Sequence, residues 1–382
     1  MSQGGAINRI AAFSANVMTA ARSCDVLLLG PALTAVSGVS THVNHLLESP
    51  LSGHFGLRHF QVGSEGRNES RAGVVVRMIT SPFALAACLV RWRPRIVHLN
   101  TSFVPRGYWR DVIYLAVAKA LRRKVVYQIH GGALPADLFA RSSVLTKLLR
   151  RVLSWPDVIV LLSQSDLAAY HAFAPRARLV RIANAVPIYH ADLRTERYRA
   201  DRTLEIVYLG RLAADKGIFE SIEAVSILRN RGVEVRLTLV GSGDAAAAAL
   251  RAIAAAGLGE RVKLMAPIFG AAKQQVWQQA HVFAFPSQRE GLPYSLLEAM
   301  SAGAVPVVSA VGAIPDVMQH EVHGLFVPTR DAHALADALE RLTHDRVLLH
   351  RLAVASRARI AEQYSVMRLA EEFATVYTTL LK

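Results

Sequence analysis

Residues 282–310, VFAFPSQREGLPYSLLEAMSAGAVPVVSA, leave the chain few ways to fold. An apolar run, Val282–Phe285, stops at Pro286 and Ser287. A loop carrying Glu290 and Gly291 follows, then a helical stretch from about Pro293 to Ser301, then Gly303 and a second apolar run, Val305–Ser309. Strand, helix and strand in so short a span read as one parallel crossover unit. Pro293 suits a first helical turn, where its missing N–H would have had no partner. The helix start then aims free N–H groups into the space past the strand end, where an anion can sit. Glu290 is either a first-turn acid favoured by the helix dipole or a carboxylate thrown into a cleft. Glu298, further along, can turn toward whatever lies beside the helix.

The same alternation occupies most of the chain, in two series. The first has strand signals at residues 24–30 (CDVLLLG), Arg58–Val62, Val74–Met78, Ile96–Leu99, Val125–Ile129, Val158–Leu162 and Leu179–Ile182. Helical stretches fall near Ser40, at Arg110–Leu121 and at Val144–Leu153. Between Ile182 and Ala200 the pattern relaxes into a connector. The second series runs through strands Glu205–Leu209, Arg236–Val240 and Val262–Met265, the 282–310 unit and Gly324–Val327. Its helices are Ile218–Asn230, Ala245–Ala256, Ala272–Ala280 and Ala332–Thr343, with a last helix near Val366–Leu381. Such alternation predicts an α/β chain of two Rossmann-like, doubly wound parallel-sheet domains. Their strand ends should face each other across a central cleft. The expected divisions are an N-terminal extension (1–22), a first domain (23–190), a second domain (191–365) and a C-terminal helix (366–382) packing back on the first.

Composition narrows the partners. With 382 residues, 52% of them hydrophobic, the chain can fill two cores. Cys24 and Cys88 are solitary and show no metal or redox spacing, as in a reducing compartment. No run approaches the roughly 20 apolar residues that cross a bilayer. Residues 1–22 lack the basic-then-apolar order of an export signal. The expectation is therefore a cytoplasmic protein.

The net charge of +15 is unevenly placed: residues 1–190 carry 22 Lys/Arg against 8 Asp/Glu, and residues 191–382 carry 22 against 21. A basic first half calls for a polyanionic partner. Residues 138–155, LFARSSVLTKLLRRVLSW, mix Leu, Val, Phe and Trp with Arg141, Lys147, Arg150 and Arg151. They read either as an interfacial amphipathic helix or as a core-packed helix with a solvated basic face. The Arg-rich runs lack the interleaved aromatics of a nucleic-acid stacking groove. An anionic membrane surface, on the inner face of the cytoplasmic membrane, is the expected partner, and nucleic acid is not.

Three further motifs end strands. GRLAADKG places Arg211 and Lys216 after one strand, where they are either a diphosphate grip or two surface cations beside a helix start. Residues Gly241-Ser242-Gly243-Asp244 form either a ligand-contacting turn or an ordinary strand–helix turn. His130 ends an apolar strand before Gly131-Gly132, and either caps that strand or faces a reacting group.

Taken in order, GRL-x3-KG, PS-x2-EG-x-P, the E-x7-E pair Glu290/Glu298, EAM-x2-G-x-PVV and G-x-x-PD…HGLFV resemble family-4 retaining glycosyltransferases (glycosyl transferases group 1) of GT-B fold. The first half is similar at SGVSTHV (37–43), VHLN (97–100), QIHGG (128–132) and IANAV (182–186). Ser37-Gly38 replaces the family's paired glycines, Asn184-Ala185 its Asn-Gly, and Asp316 its common Glu.

The resemblance implies the following roles. Arg211 and Lys216 hold the donor diphosphate. Glu290, with the amides of Gly291 and Leu292, contacts the transferred sugar, and Glu298 the ribose. His130 faces that sugar from the other domain, and Gly38 lets the first loop approach the phosphates or acceptor. It further implies a hexosyl- or N-acetylhexosaminyltransferase without cofactor or metal. The donor would be a nucleotide-diphosphate sugar, a UDP-sugar first and a GDP-sugar second. The acceptor would be a saccharide or lipid-linked molecule in polysaccharide or glycolipid synthesis. The other class left open is a non-catalytic sugar-nucleotide or nucleic-acid binder.

Overall fold

The computed structural model describes residues 24–189, 193, 195–199 and 201–382; the expected extension 1–22 and the 190/191 division lie outside them. Two six-stranded sheets organise the chain. The first contains β1 (Val26–Gly30), β2 (Leu57–Gln61), β3 (Ile96–Phe103), β4 (Lys124–Gly132), β5 (Val158–Leu161) and β6 (Leu179–Arg181), in the order β2-β1-β3-β4-β5-β6. The second contains β7 (Leu204–Leu209), β8 (Val235–Val240), β9 (Val262–Met265), β10 (Val282–Phe285), β11 (Val305–Val308) and β12 (Leu325–Phe326), in the order β12-β11-β10-β7-β8-β9. Every pairing is parallel. This is the GT-B architecture of two doubly wound domains.

Continuous apolar strands such as VLLLG are what a parallel sheet covered on both faces requires, and β1 is buried throughout. Alternate residues serve opposite faces. Leu27, Leu29, Val97 and Tyr127 pack with Leu85, Leu89, Tyr114 and Leu149, which come from helices Arg71–Trp92, Pro105–Ala120 and Ser143–Val152. Val26, Leu28, Ile96 and Val126 pack instead with Val43 and Leu46 of helix Gly38–Glu48 and with Leu369, Phe373 and Tyr377. Those last three lie on helix Val366–Leu381, so the C-terminal helix completes the first domain's core. The second domain has a core of its own.

Three local expectations are corrected. Val74–Met78 is not a strand: it lies inside the 22-residue helix Arg71–Trp92, which starts at the N-cap Ser70 and stops where Arg93 turns left-handed (φ 48°). The β-branched run Val74-Val75-Val76 favours a strand locally, but the crossover from β2 to β3 needs a helix there. That helix is also long and apolar enough to cross a bilayer, against the expectation that no run is, because Arg77 and Pro82 disguise its length. Pro293 caps the following helix, Tyr294–Ser301, from an extended conformation and stands just outside its first turn. An 18-residue helix, Arg346–Gln363, occupies a stretch with no sequence assignment.

Candidate active site

In the second sheet β7 is the first strand in sequence; β8 and β9 lie on one side of it and β10, β11 and β12 on the other. The loops after β7 and β10 therefore part at the switch point, where open α/β sheets bind ligands. The first sheet has the same kind of switch between β1 and β3. Loops from both switches line one interdomain cavity of about 660 Å³. All eight residues singled out from sequence, Gly38, His130, Arg211, Lys216, Glu290, Gly291, Leu292 and Glu298, lie on its wall.

The second-domain wall is ionic. Lys216 Nζ donates to Glu290 Oε1 and to the Arg289 carbonyl, both at 2.7 Å. Both side chains are largely buried, with 15% and 11% exposure. An ammonium has three N–H donors, so one remains for a ligand oxygen. Arg211 extends from the end of β7 and is held only loosely, 3.9 Å from Asp215. Against the start of the β7 loop packs the turn after β8, where Gly241 has φ 155° and any Cβ would collide with the Gly210 carbonyl oxygen. Backbone comes this close only without a side chain, so the turn packs the β7 and β8 loops together. Glu298 is buried with both oxygens engaged: Lys273 Nζ donates to Oε1 at 2.6 Å and Trp277 Nε1 to Oε2 at 3.3 Å. Carboxylate oxygens have further lone pairs, so a ribose hydroxyl can still be received.

The first-domain wall is mostly neutral, with Glu65 the one charged residue on it among the described residues. Asn100 Nδ2 faces the carbonyls of Leu29 (3.2 Å) and His98 (3.4 Å), which turns its Oδ1 toward His130 Nε2 at 2.9 Å. His130 therefore carries its proton on Nε2, and Nδ1 is a lone-pair acceptor with no partner among the described residues. Burial, then the neighbouring His98, holds the His130 pKa down to about 3, so the ring is neutral near pH 7. Burial likewise takes His98 to about 3 and His42 well below the ordinary range. His42 Nδ1 lies 3.2 Å from the Tyr294 hydroxyl, which bridges the two domains.

The domains also meet where Gly291 packs on the His130–Gly131 turn: a Cβ on Gly291 would stand 2.9 Å from the His130 carbonyl oxygen. Asn184 Nδ2 donates to the Leu292 carbonyl at 2.8 Å, pinning the Glu290 loop to the end of the first domain. Gly38 opens helix Gly38–Glu48, whose N-cap is Ser37, its hydroxyl accepting from the Ser40 amide at 3.2 Å. Asp316 reaches across to accept the Gln164 amide proton at 2.6 Å.

Four contributors had no site role assigned from sequence: Asn100, Asn184, Lys273 and Tyr294. Asn100 and Asn184 stand inside motifs quoted above, so a signal existed. Lys273 and Tyr294 gave none, because only packing turns them toward Glu298 and His42.

Residues 203–345, which carry the whole ionic wall, match the family described as Glycosyl transferases group 1. The match lies within the second domain. Similar proteins include the amylovoran biosynthesis glycosyltransferase AmsK of Erwinia amylovora, 28% identical over 81% of this chain and 74% of that protein. Another is a GDP-mannose:cellobiosyl-diphosphopolyprenol alpha-mannosyltransferase of Xanthomonas campestris, 30% identical over 60% of this chain and 61% of that protein. With an alpha-D-kanosaminyltransferase of Streptomyces kanamyceticus it shares 30% over about half of each chain, 49% and 48%. Among solved structures, sucrose-phosphate synthase from Thermosynechococcus elongatus superposes with a TM-score of 0.75 at 19% identity, covering 94% of this chain and 99% of that one. Anabaena HepE in complex with UDP-glucose gives 0.71 at 16% identity, covering 93% and 99%. Residues 203–345 thus carry the family match, and the superpositions show a fold shared along nearly the whole chain.

Proposed function

We propose that the chain moves a hexosyl or N-acetylhexosaminyl group from a nucleotide-diphosphate sugar to a saccharide or lipid-linked acceptor, with retention and without a metal ion. One observation carries this reading. The Lys216–Glu290 pair and the loosely held Arg211 line a single cleft at the switch between β7 and β10. The UDP-glucose held by the HepE structure and the GDP-mannose named for the Xanthomonas relative support a donor of this class.

In this mechanism the bond from the anomeric carbon to the diphosphate oxygen breaks through an oxocarbenium-like state, and its electron pair leaves with the diphosphate. Arg211 and the free N–H of Lys216 offset the charge that develops there. Fixed cations at this point replace the divalent ion used by metal-dependent relatives of the reaction. Glu290 Oε2 accepts a hydroxyl of the transferred sugar, with the amides of Gly291 and Leu292 beside it, and Glu298 receives the ribose. His130 Nδ1 accepts a second sugar hydroxyl from the opposite wall. The acceptor oxygen attacks the face the diphosphate leaves, and its proton passes to the departing phosphate oxygen, so no enzymic nucleophile is needed. Closing of the two domains excludes water from the activated sugar.

The basic first half suits an acceptor at an anionic membrane surface, with the enzyme peripheral on its cytoplasmic side. Thermal shifts across UDP-, GDP- and ADP-sugars identify the donor, because a ligand bound only to the native state raises its melting temperature. Slow donor hydrolysis without acceptor separates an enzyme from a non-catalytic binder. A product of inverted anomeric configuration, or full turnover in Lys216→Ala, defeats the proposal. Activity abolished by EDTA and restored by a divalent ion defeats its metal-free part.

A further inference from the structure

The three helices on one face of the first sheet form a layer whose outer side differs from the rest of the surface. Helix Arg71–Trp92 buries Leu85 and Leu89 against the sheet, while Val76, Ile79, Phe83 and Val90 turn away from it, and Val75 and Met78 widen the stripe at its start. Ile79 is 63% and Phe83 73% exposed. Packed beside it, helix Pro105–Ala120 exposes Trp109 and Ile113; Ser81 and the Tyr114 hydroxyl, 2.8 Å apart, join the two helices. Trp109 in turn lies 6.0 Å, centroid to centroid, from Phe139, which leads into helix Ser143–Val152 with its exposed Val144. The three helices hold nine Lys/Arg and one carboxylate, Asp111, which is buried and paired with Arg110 at 2.7 Å. No exposed carboxylate therefore stands on these three helices, and the carboxylates at their edges, Glu69 and Asp157, are paired with Arg77 and Lys119.

We infer that this layer is a membrane-docking face: the outer side of helix Arg71–Trp92 lies in the interface of an anionic bilayer, with the surrounding arginines and lysines on lipid phosphates. An apolar stripe of this size is rarely left to water. Lipid is the occupant that matches an apolar strip on three helices that carry nine cations and no exposed carboxylate of their own. The helix lies in the interface and does not cross it, since Leu85 and Leu89 tie one side of it to the sheet core and Arg77 is paired with Glu69 at 2.9 Å. Crossover helices run back against their strands, so the start of this helix sits at the cleft end of the sheet, as does Glu65 on the cavity wall. A lipid-linked acceptor could then keep its tail in the bilayer while its head group enters the cleft. The inference deepens the membrane part of the proposed function and does not depend on the donor.

Co-sedimentation of the full chain tests it, with vesicles containing phosphatidylglycerol and with pure phosphatidylcholine vesicles. The wild type is expected to pellet with the anionic vesicles. Ile79→Asp combined with Phe83→Asp should lower vesicle partitioning about tenfold or more. Val347→Asp, the same change at an 82% exposed site on the second domain, should leave it unaltered. If the double variant melts early, Phe83→Ser carries the same comparison. A wild type that stays in the supernatant, equal pelleting with neutral vesicles, or a double variant that pellets like wild type overturns the inference. So does light scattering that shows a wild-type dimer turned monomeric by the double variant, which assigns the face to a second copy. Thermal stabilisation by UDP-sugars, measured without vesicles, keeps the readings apart: its absence in the wild type counts against the donor and leaves the docking result standing.

Discussion

The two domains share one topology and build their halves of the cleft from opposite chemistry. The second is nearly charge-balanced and works with ions: Lys216 against Glu290, Lys273 against Glu298, and Arg211 held in reserve. The first carries almost all of the net charge, yet presents mostly neutral groups to the cleft, His130, Ser37 and Gly38 among them, with Glu65 the one charged residue described there, and keeps its cations on its outer surface. Fixed ions belong where a reaction creates charge on a leaving group. Neutral acceptors belong where uncharged hydroxyls must be oriented. The difference assigns the leaving group to one wall and the sugar and acceptor to the other.

The harshest test of that division is Lys216→Ala. Losing one charge-stabilising donor should lower kcat by about 10³, and because the pair joins the loops after β7 and β10, the melting temperature is measured beside it as the control for folding. Steady-state kinetics with the donor found by thermal shift measures it; a loss confined to KM would make Lys216 a binding group only.

The neutral wall is tested next by Asn100→Asp. A carboxylate against His130 Nε2 favours the charged ring, so its pKa should rise from about 3 toward neutrality. Nδ1 then carries a proton at neutral pH and no longer accepts. Turnover should fall roughly tenfold to a hundredfold, and the acid limb of the pH–rate profile should move to higher pH. An unshifted profile would leave Asn100 a structural group.

A smaller effect separates the domains in stability. His42 and His98 are fully buried and neutral in the native state, while the unfolded chain binds protons at these positions below about pH 6.5. Between that pH and the depressed native values the unfolded state holds more protons, so stability must fall as the solution is acidified. At pH 5 the penalty is about 2 kcal/mol for each histidine that stays neutral. Urea melts at pH 7.5 and pH 5 should show the first domain and the C-terminal helix loosening first, because Tyr377 holds His98 Nδ1 at 2.7 Å. A melt unchanged between the two pH values would show those rings charged in the fold.

The smallest expected effect is Gly38→Ala. A Cβ there meets the Tyr294 ring at an ordinary 3.5 Å, so stability should move by no more than about 0.5 kcal/mol. A large loss of turnover with the fold intact would show that the missing side chain leaves room for substrate.

Much of the architecture was readable because parallel strands buried on both faces must be apolar throughout, and glycine or proline marks their ends. The reading failed where local preference and topology disagreed. Val74–Val76 favour a strand, but the chain has to cross from β2 to β3 there, and only a helix spans that step. Helix Arg346–Gln363 went unseen because it has no clear apolar side to give it a period.

By itself the sequence pointed to the two alternating series, the family resemblance and the eight cleft residues, since those residues fall in recognisable motifs on the strand-to-helix turns or, for Glu298, on the helix that follows one. Tertiary structure alone decided which partners they meet: Lys216 on Glu290, Lys273 on Glu298, Asn100 on His130, and Tyr294 across the cleft on His42. It also decided that an apolar helix faces outward. Sequence records what a side chain can donate, accept or exclude, and only the packing of distant segments fixes what stands within 3 Å of it.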